Sequence, residues 1–149
     1  MVVRDARPDD APRLGEVNVA TWQRAYRGLV PDDYLDSLTP NAAEARWRGR
    51  IQDRAAGVHL LVAEVDGVVA GYATGGPYRT QQDAEPEVTD GWGELWAIYT
   101  DPGLQGRGAG VAVHDELLSR LAADGWTTAA LWVLRDNAAA RAWYEARGW

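Results

Sequence analysis

A glycine-rich turn joins a strand to a helix in the second half of the chain. Segment 104–110, Leu-Gln-Gly-Arg-Gly-Ala-Gly, follows a strand-like run ending near Asp101-Pro102 and precedes a helix-like run over 111–123. Glycine adopts dihedral angles closed to other residues and lets the backbone approach a ligand closely. Backbone N–H groups at a helix start, on the positive end of its dipole, favour an anion such as phosphate. An ordinary strand-to-helix turn is the alternative, and the loop alone leaves both open.

The residue types exclude several kinds of chemistry. The chain has 149 residues, which predicts one domain, and it has no Cys. Disulfides, thiolate metal sites and cysteine nucleophiles are therefore excluded. All fifteen basic residues are Arg. Without a Lys there is neither a Walker-type phosphate loop nor an enzyme Schiff base. We expect no metal cofactor.

The charge and hydropathy patterns limit the kinds of partner that the chain is expected to bind. A net charge of −7 argues against nucleic-acid binding and favours a cationic partner, such as an amine. No apolar run approaches 18 residues, and no signal-peptide pattern opens the chain. We therefore expect a soluble, cytoplasmic protein without a membrane partner.

The periodicity predicts an α/β domain. The hairpin signal Asp66-Gly67 separates two of the strands, and the run from Gly75 to Gly91 is predicted to be a long loop. A hairpin followed by strand-helix-strand indicates a mixed sheet with helices packed on it. The predicted strands are 2–6, 58–65, 68–73, 92–100 and 127–134, and the predicted helices are 11–26, 31–38, 41–54, 111–123 and 138–147.

Three polar side chains beside these elements are candidates for chemistry. Glu94 opens an otherwise apolar central strand. If buried there, its pKa would rise toward a value useful for a general base, whereas at an exposed strand end it would have no such role. Asn137 is placed to cap the last helix, and Tyr144 follows two turns later on the same face. Taken singly, an Asn cap and an aromatic helix residue are common structural features.

Together these segments resemble the GNAT superfamily of acyl-CoA-dependent N-acyltransferases. The superfamily motif Q/R-x-x-G-x-G/A after a strand is matched by Gln105, Gly108 and Gly110, and an Asn-x6-Tyr-x3-Gly-aromatic segment runs from Asn137 to Trp149. A dinucleotide-binding fingerprint fails, because its third glycine would fall on Val111. The resemblance implies the GNAT fold, a mixed and mostly antiparallel central sheet flanked by helices, in a single domain over 1–149.

The resemblance also implies acetyl-CoA as cosubstrate. Its pyrophosphate would lie on the loop amides, and its pantetheine arm would follow the free edge of the preceding strand. Each amide–phosphate hydrogen bond would contribute roughly 1.5–3 kcal/mol. The positions that match coenzyme-binding positions of the superfamily are Ile98, Tyr99, Thr100, Gln105, Gly106, Arg107, Gly108, Ala109, Gly110, Val111 and Asn137.

For catalysis, the resemblance implies Tyr144 as the general acid for the leaving thiolate and Glu94 as the base, directly or through water. In another branch of the superfamily the base lies at the position of Trp132, which cannot serve. An alkyl amine with a pKa near 10 is about 99.9% protonated at neutral pH, and removing that proton costs about 4 kcal/mol. The expected reaction is direct attack on the thioester in a ternary complex.

The acceptor is expected to be a small-molecule or peptide amine. The resemblance places its pocket at the first helices and the loop 78–91, where Trp22, Tyr26 and Tyr34 could form an aromatic wall for an ammonium group. Packing of these rings between helices and sheet is the simpler alternative. A non-catalytic acyl-CoA-binding or sensing module, or a purely structural domain, also stays open.

The superfamily continues past this last helix with two further strands, which this sequence lacks. The chain is truncated, or the sequence omits a tail, or a partner subunit in a homodimer supplies the sheet edge. We favour an incomplete sequence, because Trp149 would otherwise be an apolar end with nothing to pack on.

Overall fold

The computed structural model describes residues 1–79 and 90–149. Its strands are β1 Val2–Asp5, β2 His59–Val65, β3 Val68–Pro77, β4 Trp92–Thr100 and β5 Thr128–Leu131. Its helices are α1 Ala11–Ala25, α2 Asp32–Ser37, α3 Pro40–Gln52, α4 Ala109–Ala123 and α5 Ala138–Glu145, and a 3₁₀ turn, Pro8–Asp10, precedes α1.

The five strands form one mixed sheet in the order β1-β2-β3-β4-β5. Strands β1 to β4 pair with one another in antiparallel orientation, and β5 pairs with β4 in parallel orientation. The β2–β3 hairpin turns at Asp66 and Gly67, with φ of 53° and 79°. Two left-handed residues match the twist of the flanking strands in a two-residue turn. The predicted mixed, mostly antiparallel sheet is confirmed.

Helices cover both faces of this sheet. On one face α1 and α3 pack against β2 and β3, around buried Leu14, Trp47 and Tyr72. On the other face α4 places Val113, Leu117 and Leu121 against the sheet, with Leu95 of β4 among them. The periodic apolar residues of α1 and of α4 thus each form one buried stripe, as their spacing predicts.

Strand β3 extends beyond its predicted end at Ala73, through Gly75 and Gly76 to Pro77. A Cβ atom on Gly75 would lie 2.7 Å from the Glu94 carbonyl oxygen and 3.0 Å from Leu117. Glycine marks close packing at this position, not the start of the loop. Residues 80–89 of the predicted loop lie outside the described residues.

The prediction of a buried strand over 127–134 is wrong in both length and burial. Strand β5 covers only Thr128–Leu131 and is partly exposed. It pairs with β4 from Trp92 to Leu95 and no further, and no other strand in the described ranges pairs with it. An apolar run does not distinguish an edge strand from a central one.

Trp149 does have packing partners, contrary to the expectation. Its indole N–H donates to His114 Nε2 at 2.9 Å, and its ring lies 6.1 Å from that of Tyr144. The Trp149 side chain therefore packs against the core on the α4 side of the sheet. No helix in residues 1–79 or 90–149 is both long and apolar enough to cross a membrane.

Candidate active site

A cleft of about 880 Å³ opens where β4 and β5 diverge beyond Leu95. The residues predicted to bind the coenzyme all line this cleft except Arg107. The Arg107 guanidinium instead faces the Asp66 carboxylate at 3.5 Å. The residues predicted from the sequence that line this cleft are Tyr26, Ile98, Tyr99, Thr100, Gln105, Gly106, Gly108, Ala109, Gly110, Val111, Asn137 and Tyr144.

One end of the cleft is the start of α4. Gly108 is the N-cap residue, with φ of 83°, and the first helical hydrogen bond runs from the Ala112 N–H to the Gly108 carbonyl at 3.0 Å. The N–H groups of residues 109–111 precede that bond and face out of the helix end. The first turn of α4 contains no acidic residue. This end of the cleft can accept an anion.

The loop also needs glycine for packing. A Cβ atom on Gly110 would lie 3.1 Å from Thr100 Oγ1, so the helix start approaches β4 too closely for a larger residue to fit unchanged. Gly106 has φ of 79°, a left-handed conformation that favours glycine. Backbone geometry and close approach explain the spacing of the glycines in the sequence.

The wall of the cleft is the edge of β4 beyond its pairing with β5. Within the described part of the chain, no strand pairs with Trp96–Thr100 on that side. The Thr100 carbonyl accepts a hydrogen bond from Thr21 Oγ1 at 3.2 Å. A ligand lying in the cleft can therefore pair with backbone groups of β4 as an extra strand would.

Tyr144 lies in the cleft with its ring packed against Trp143 and Trp149, at 5.2 and 6.1 Å between ring centroids. Burial raises the pKa of Tyr144 to about 12, and the nearby Tyr26 hydroxyl contributes to the shift. The phenol therefore stays protonated at physiological pH and is available as a hydrogen-bond donor.

Three further tyrosines form a connected group, in which Tyr99 contacts both Tyr26 and Tyr72. The hydroxyls of Tyr26 and Tyr99 are 3.2 Å apart, and the Tyr72 hydroxyl accepts a hydrogen bond from Asn18 Nδ2 at 2.9 Å. Burial raises the pKa of both Tyr72 and Tyr99. Tyr72 was not singled out from the sequence, because only the strand register pairs it with Tyr99 and puts both on one face.

Asn137 caps α5 as predicted. Its Oδ1 accepts a hydrogen bond from the Ala140 N–H at 3.1 Å. Seven residues later on the same helix, Tyr144 faces the same cleft. The cap thus fixes the start of the helix that carries Tyr144.

Glu94 is buried, with 1% of its surface exposed, so the alternative of an exposed strand end is wrong. Its carboxylate accepts hydrogen bonds from the Arg79 backbone N–H at 2.8 Å and from Arg79 Nη2 at 3.0 Å. The Arg79 guanidinium also stacks on Trp96, 4.5 Å from the ring centroid. Arg79 was missed because only the strand register brings it to Glu94.

A second cavity, of about 1110 Å³, lies on the opposite side of β4, between α1, α3 and the sheet. Trp22 and Tyr34 line it, whereas Tyr26 lines the first cleft. The predicted aromatic wall is therefore divided between two cavities. Trp96, Ala97 and Tyr99 line both, so the two cavities share a segment of β4.

The sequence model of the Acetyltransferase (GNAT) family matches residues 19–149. The chain belongs to this family. A relative is the protein named Uncharacterized N-acetyltransferase YuaI from Bacillus subtilis (strain 168). It is 32% identical over 137 residues, which are 92% of this chain and 73% of YuaI.

Solved GNAT structures have the same fold. The PaiA N-acetyltransferase from Thermoplasma acidophilum, in complex with coenzyme A, superposes with a TM-score of 0.80 at 19% identity, covering 99% of this chain and 87% of PaiA. YncA from Salmonella typhimurium, a putative acetyltransferase with its cofactor acetyl-CoA, superposes with a TM-score of 0.69 at 23% identity, covering 99% and 78%. At these identities the likeness shows the fold.

Proposed function

We propose that this chain transfers an acetyl group from acetyl-CoA to a primary amine of a small molecule or peptide. The observation that carries the proposal is the shared wall: Trp96, Ala97 and Tyr99 line both the cleft with the anion-binding helix start and the separate cavity across β4. A donor and an acceptor held on the two sides would both lie against this segment, and direct transfer within a ternary complex requires them to be close neighbours.

The donor fits the first cleft on observed features. The amides of residues 109–111 at the α4 N-terminus suit a pyrophosphate, and the free edge of β4 beyond Leu95 suits an amide-containing arm. When bound, the coenzyme supplies the acetyl thioester. Asn137 lies at the cleft beside these groups; the cap bond uses only its Oδ1.

In the proposed reaction the amine nitrogen forms a bond to the acetyl carbon as the carbon–sulfur bond breaks. Glu94 accepts the proton that leaves the nitrogen, directly or through water, and Tyr144 supplies a proton to the departing sulfur. Backbone N–H groups of β4 stabilise the developing oxyanion. Glu94 lines neither cavity, so Arg79, whose side chain is 53% exposed, must move before Glu94 can receive the proton directly or through water.

The contact between Glu94 and Arg79 also favours a second candidate. Both carboxylate oxygens of Glu94 already accept hydrogen bonds from Arg79, so this contact occupies the positions that an acceptor amine would approach. A non-catalytic acyl-CoA-binding module would keep the cleft and leave Glu94 in a structural role.

The deciding experiment measures coenzyme A release from acetyl-CoA across a panel of primary amines. We expect turnover by the wild type and a loss of about 100-fold in kcat for Tyr144→Phe, the size expected for loss of a general acid. Glu94→Gln should also lower kcat. Calorimetric affinity for coenzyme A should change by less than about threefold in both variants, since neither alters the loop amides.

Ser119→Ala is the control, because it also removes one hydroxyl, and Ser119 is exposed on α4 and lines neither cavity; it should leave kcat unchanged. If no amine supports turnover while coenzyme A still binds, the non-catalytic module is the correct function. Turnover that is insensitive to both Tyr144→Phe and Glu94→Gln would remove these residues from the mechanism.

A further inference from the structure

The cavity across β4 is lined by more basic than acidic side chains. Among the residues of 1–79 and 90–149 that line it, Asp53 is the one acidic residue. The basic residues that line it, apart from His59, are Arg46, Arg50, Arg54 and Arg79. This local excess of positive charge contrasts with the net charge of −7 for the whole chain.

Two of these arginines lie on α3, which ends at Gln52. Arg46 and Arg50 are four residues apart, which puts them on one face of the helix, and Arg54 follows the helix end. Arg54 Nη1 binds Asp5 at 2.9 Å. Arg46 and Arg50 have no carboxylate within ion-pair distance among residues 1–79 and 90–149. Arg48, which does not line the cavity, binds Glu44 at 2.7 Å.

Arg50 reaches over the floor of the cavity. Its guanidinium carbon lies 5.1 Å from the centroid of the Trp47 ring, and Trp47 packs edge-on against Tyr72 at 4.7 Å. The Arg50 charge acts on the Tyr72 hydroxyl, where it opposes the rise in pKa caused by burial. Tyr72 in turn packs against Tyr99 at 5.6 Å, and Tyr99 belongs to the wall shared with the donor cleft.

We infer that the acceptor is an amine that also carries an anionic oxygen group, a carboxylate or a phosphate, which Arg46 and Arg50 bind. This inference rests on the proposed acetyl transfer. Guanidinium groups bind both anions through paired hydrogen bonds. An anion held at α3 leaves the amine of the same molecule facing β4. Charges within a Debye length of about 10 Å outweigh the net charge of the chain, so an acidic protein can select an anionic acceptor.

The test compares matched acceptors with and without the anion. The ω-amino carboxylates of two to six carbons and the corresponding aminoalkyl phosphates are assayed against alkylamines of the same length, by coenzyme A release. We expect at least one anionic series to exceed the matched alkylamines in kcat/KM by about tenfold or more. Which series does so distinguishes a carboxylate from a phosphate.

Arg50→Gln should lower kcat/KM for the preferred anionic amine by about tenfold, chiefly through KM. The effect on the matched alkylamine should be much smaller, so the ratio of the two kcat/KM values falls. Arg46→Gln should act in the same direction. Arg48→Gln is the control, because Arg48 is on the same helix but does not line the cavity. It should leave kcat/KM unchanged for both substrates. Equal use of anionic and neutral amines, with no selective effect of Arg50→Gln, would overturn the inference.

Absence of turnover with every amine would count against acetyl transfer, and binding then tests the inference separately. The same matched pairs are titrated into protein saturated with coenzyme A, followed by tryptophan fluorescence, since Trp22, Trp47 and Trp96 line the cavity. Tighter binding of the anionic amine, lost in Arg50→Gln and kept in Arg48→Gln, supports the anion site. Equal binding of both members of a pair overturns it.

Discussion

Among single residues, Glu94 combines a charge with nearly complete burial, and its environment decides its role. The Arg79 backbone N–H and guanidinium both donate to its carboxylate. Removing a charge from water costs several kcal/mol unless hydrogen bonds replace the lost hydration. Arg79 therefore stabilises the folded state through Glu94, whether or not Glu94 also accepts a proton during catalysis.

We predict that Arg79→Gln lowers the free energy of unfolding by about 2 kcal/mol, because the buried Glu94 carboxylate loses the guanidinium that donates to it. The same change in the Glu94→Gln background should cost less than about 1 kcal/mol, since no buried charge then needs a partner. Urea unfolding of the four proteins in this cycle measures the coupling. Equal costs in both backgrounds would show that the ion pair contributes nothing to stability.

The contrast between Asn137 and Arg79 shows which residue-level features a sequence can predict. The Asn137 cap is a local contact, three residues away from its donor, and its position before an apolar helical repeat predicted it. The contact between Arg79 and Glu94 spans fifteen residues and exists because Gly76 pairs with Glu94 in the sheet. Register depends on the whole sheet, so a single chain segment does not reveal it.

Among the structural elements, the turn into α4 combines backbone conformations that favour glycine with the proposed phosphate contacts. Gly108→Val places a β-branched residue at φ of 83°, which is costly and distorts the amides that follow. We predict a loss of at least about tenfold in coenzyme A affinity, measured by calorimetry, because each amide–phosphate bond contributes roughly 1.5–3 kcal/mol.

Gly57→Val is the control for this loop. Gly57 has φ of 75° and open space around its Cα, so the substitution carries a similar backbone penalty outside the cleft. Both variants should lose similar stability, and only Gly108→Val should lose coenzyme A affinity. Equal affinity in the two variants would mean that the α4 turn does not hold the coenzyme.

The elements also differ in how well periodicity predicted them. Helix α4 follows its predicted stripe, because Val113, Leu117 and Leu121 all pack on the sheet. Strand β5 was predicted to be longer and buried, since an apolar run is compatible with either a central or an edge strand. The divergence of β5 from β4 after Leu95 creates the cleft. Only the superfamily resemblance predicted it, through the free strand edge that the pantetheine arm would follow.

For the molecule as a whole, the stability at alkaline pH depends on the tyrosines. The chain has no Lys or Cys, so tyrosines are the side chains that lose protons in this pH range. Burial raises the pKa of Tyr72, Tyr99 and Tyr144 above the ordinary value of 10. Because these phenols release protons more readily when unfolded, their contribution is complete below pH 10 and is lost as pH rises toward 12. We predict a fall of about 2 kcal/mol or more between pH 9 and 11.5, measured by urea unfolding.

Tyr72→Phe should flatten this alkaline decline, since it removes one of the three shifted groups. Tyr34→Phe, at a side chain that is 50% exposed, should leave the slope as it is. A wild-type stability that is constant across the range would show that the tyrosines ionise as easily in the folded protein as in the unfolded chain.

Strand β4 separates the two cavities by a single layer of backbone at Trp96, Ala97 and Tyr99. If acetyl transfer proceeds as proposed, the amine reaches the thioester past this layer, and one tethered molecule can then occupy both sides. A conjugate that joins an amino carboxylate to coenzyme A through an acetyl bridge would bind as a bisubstrate inhibitor. Such a compound would gain affinity over either half alone, because the second half binds at the high effective concentration set by the tether.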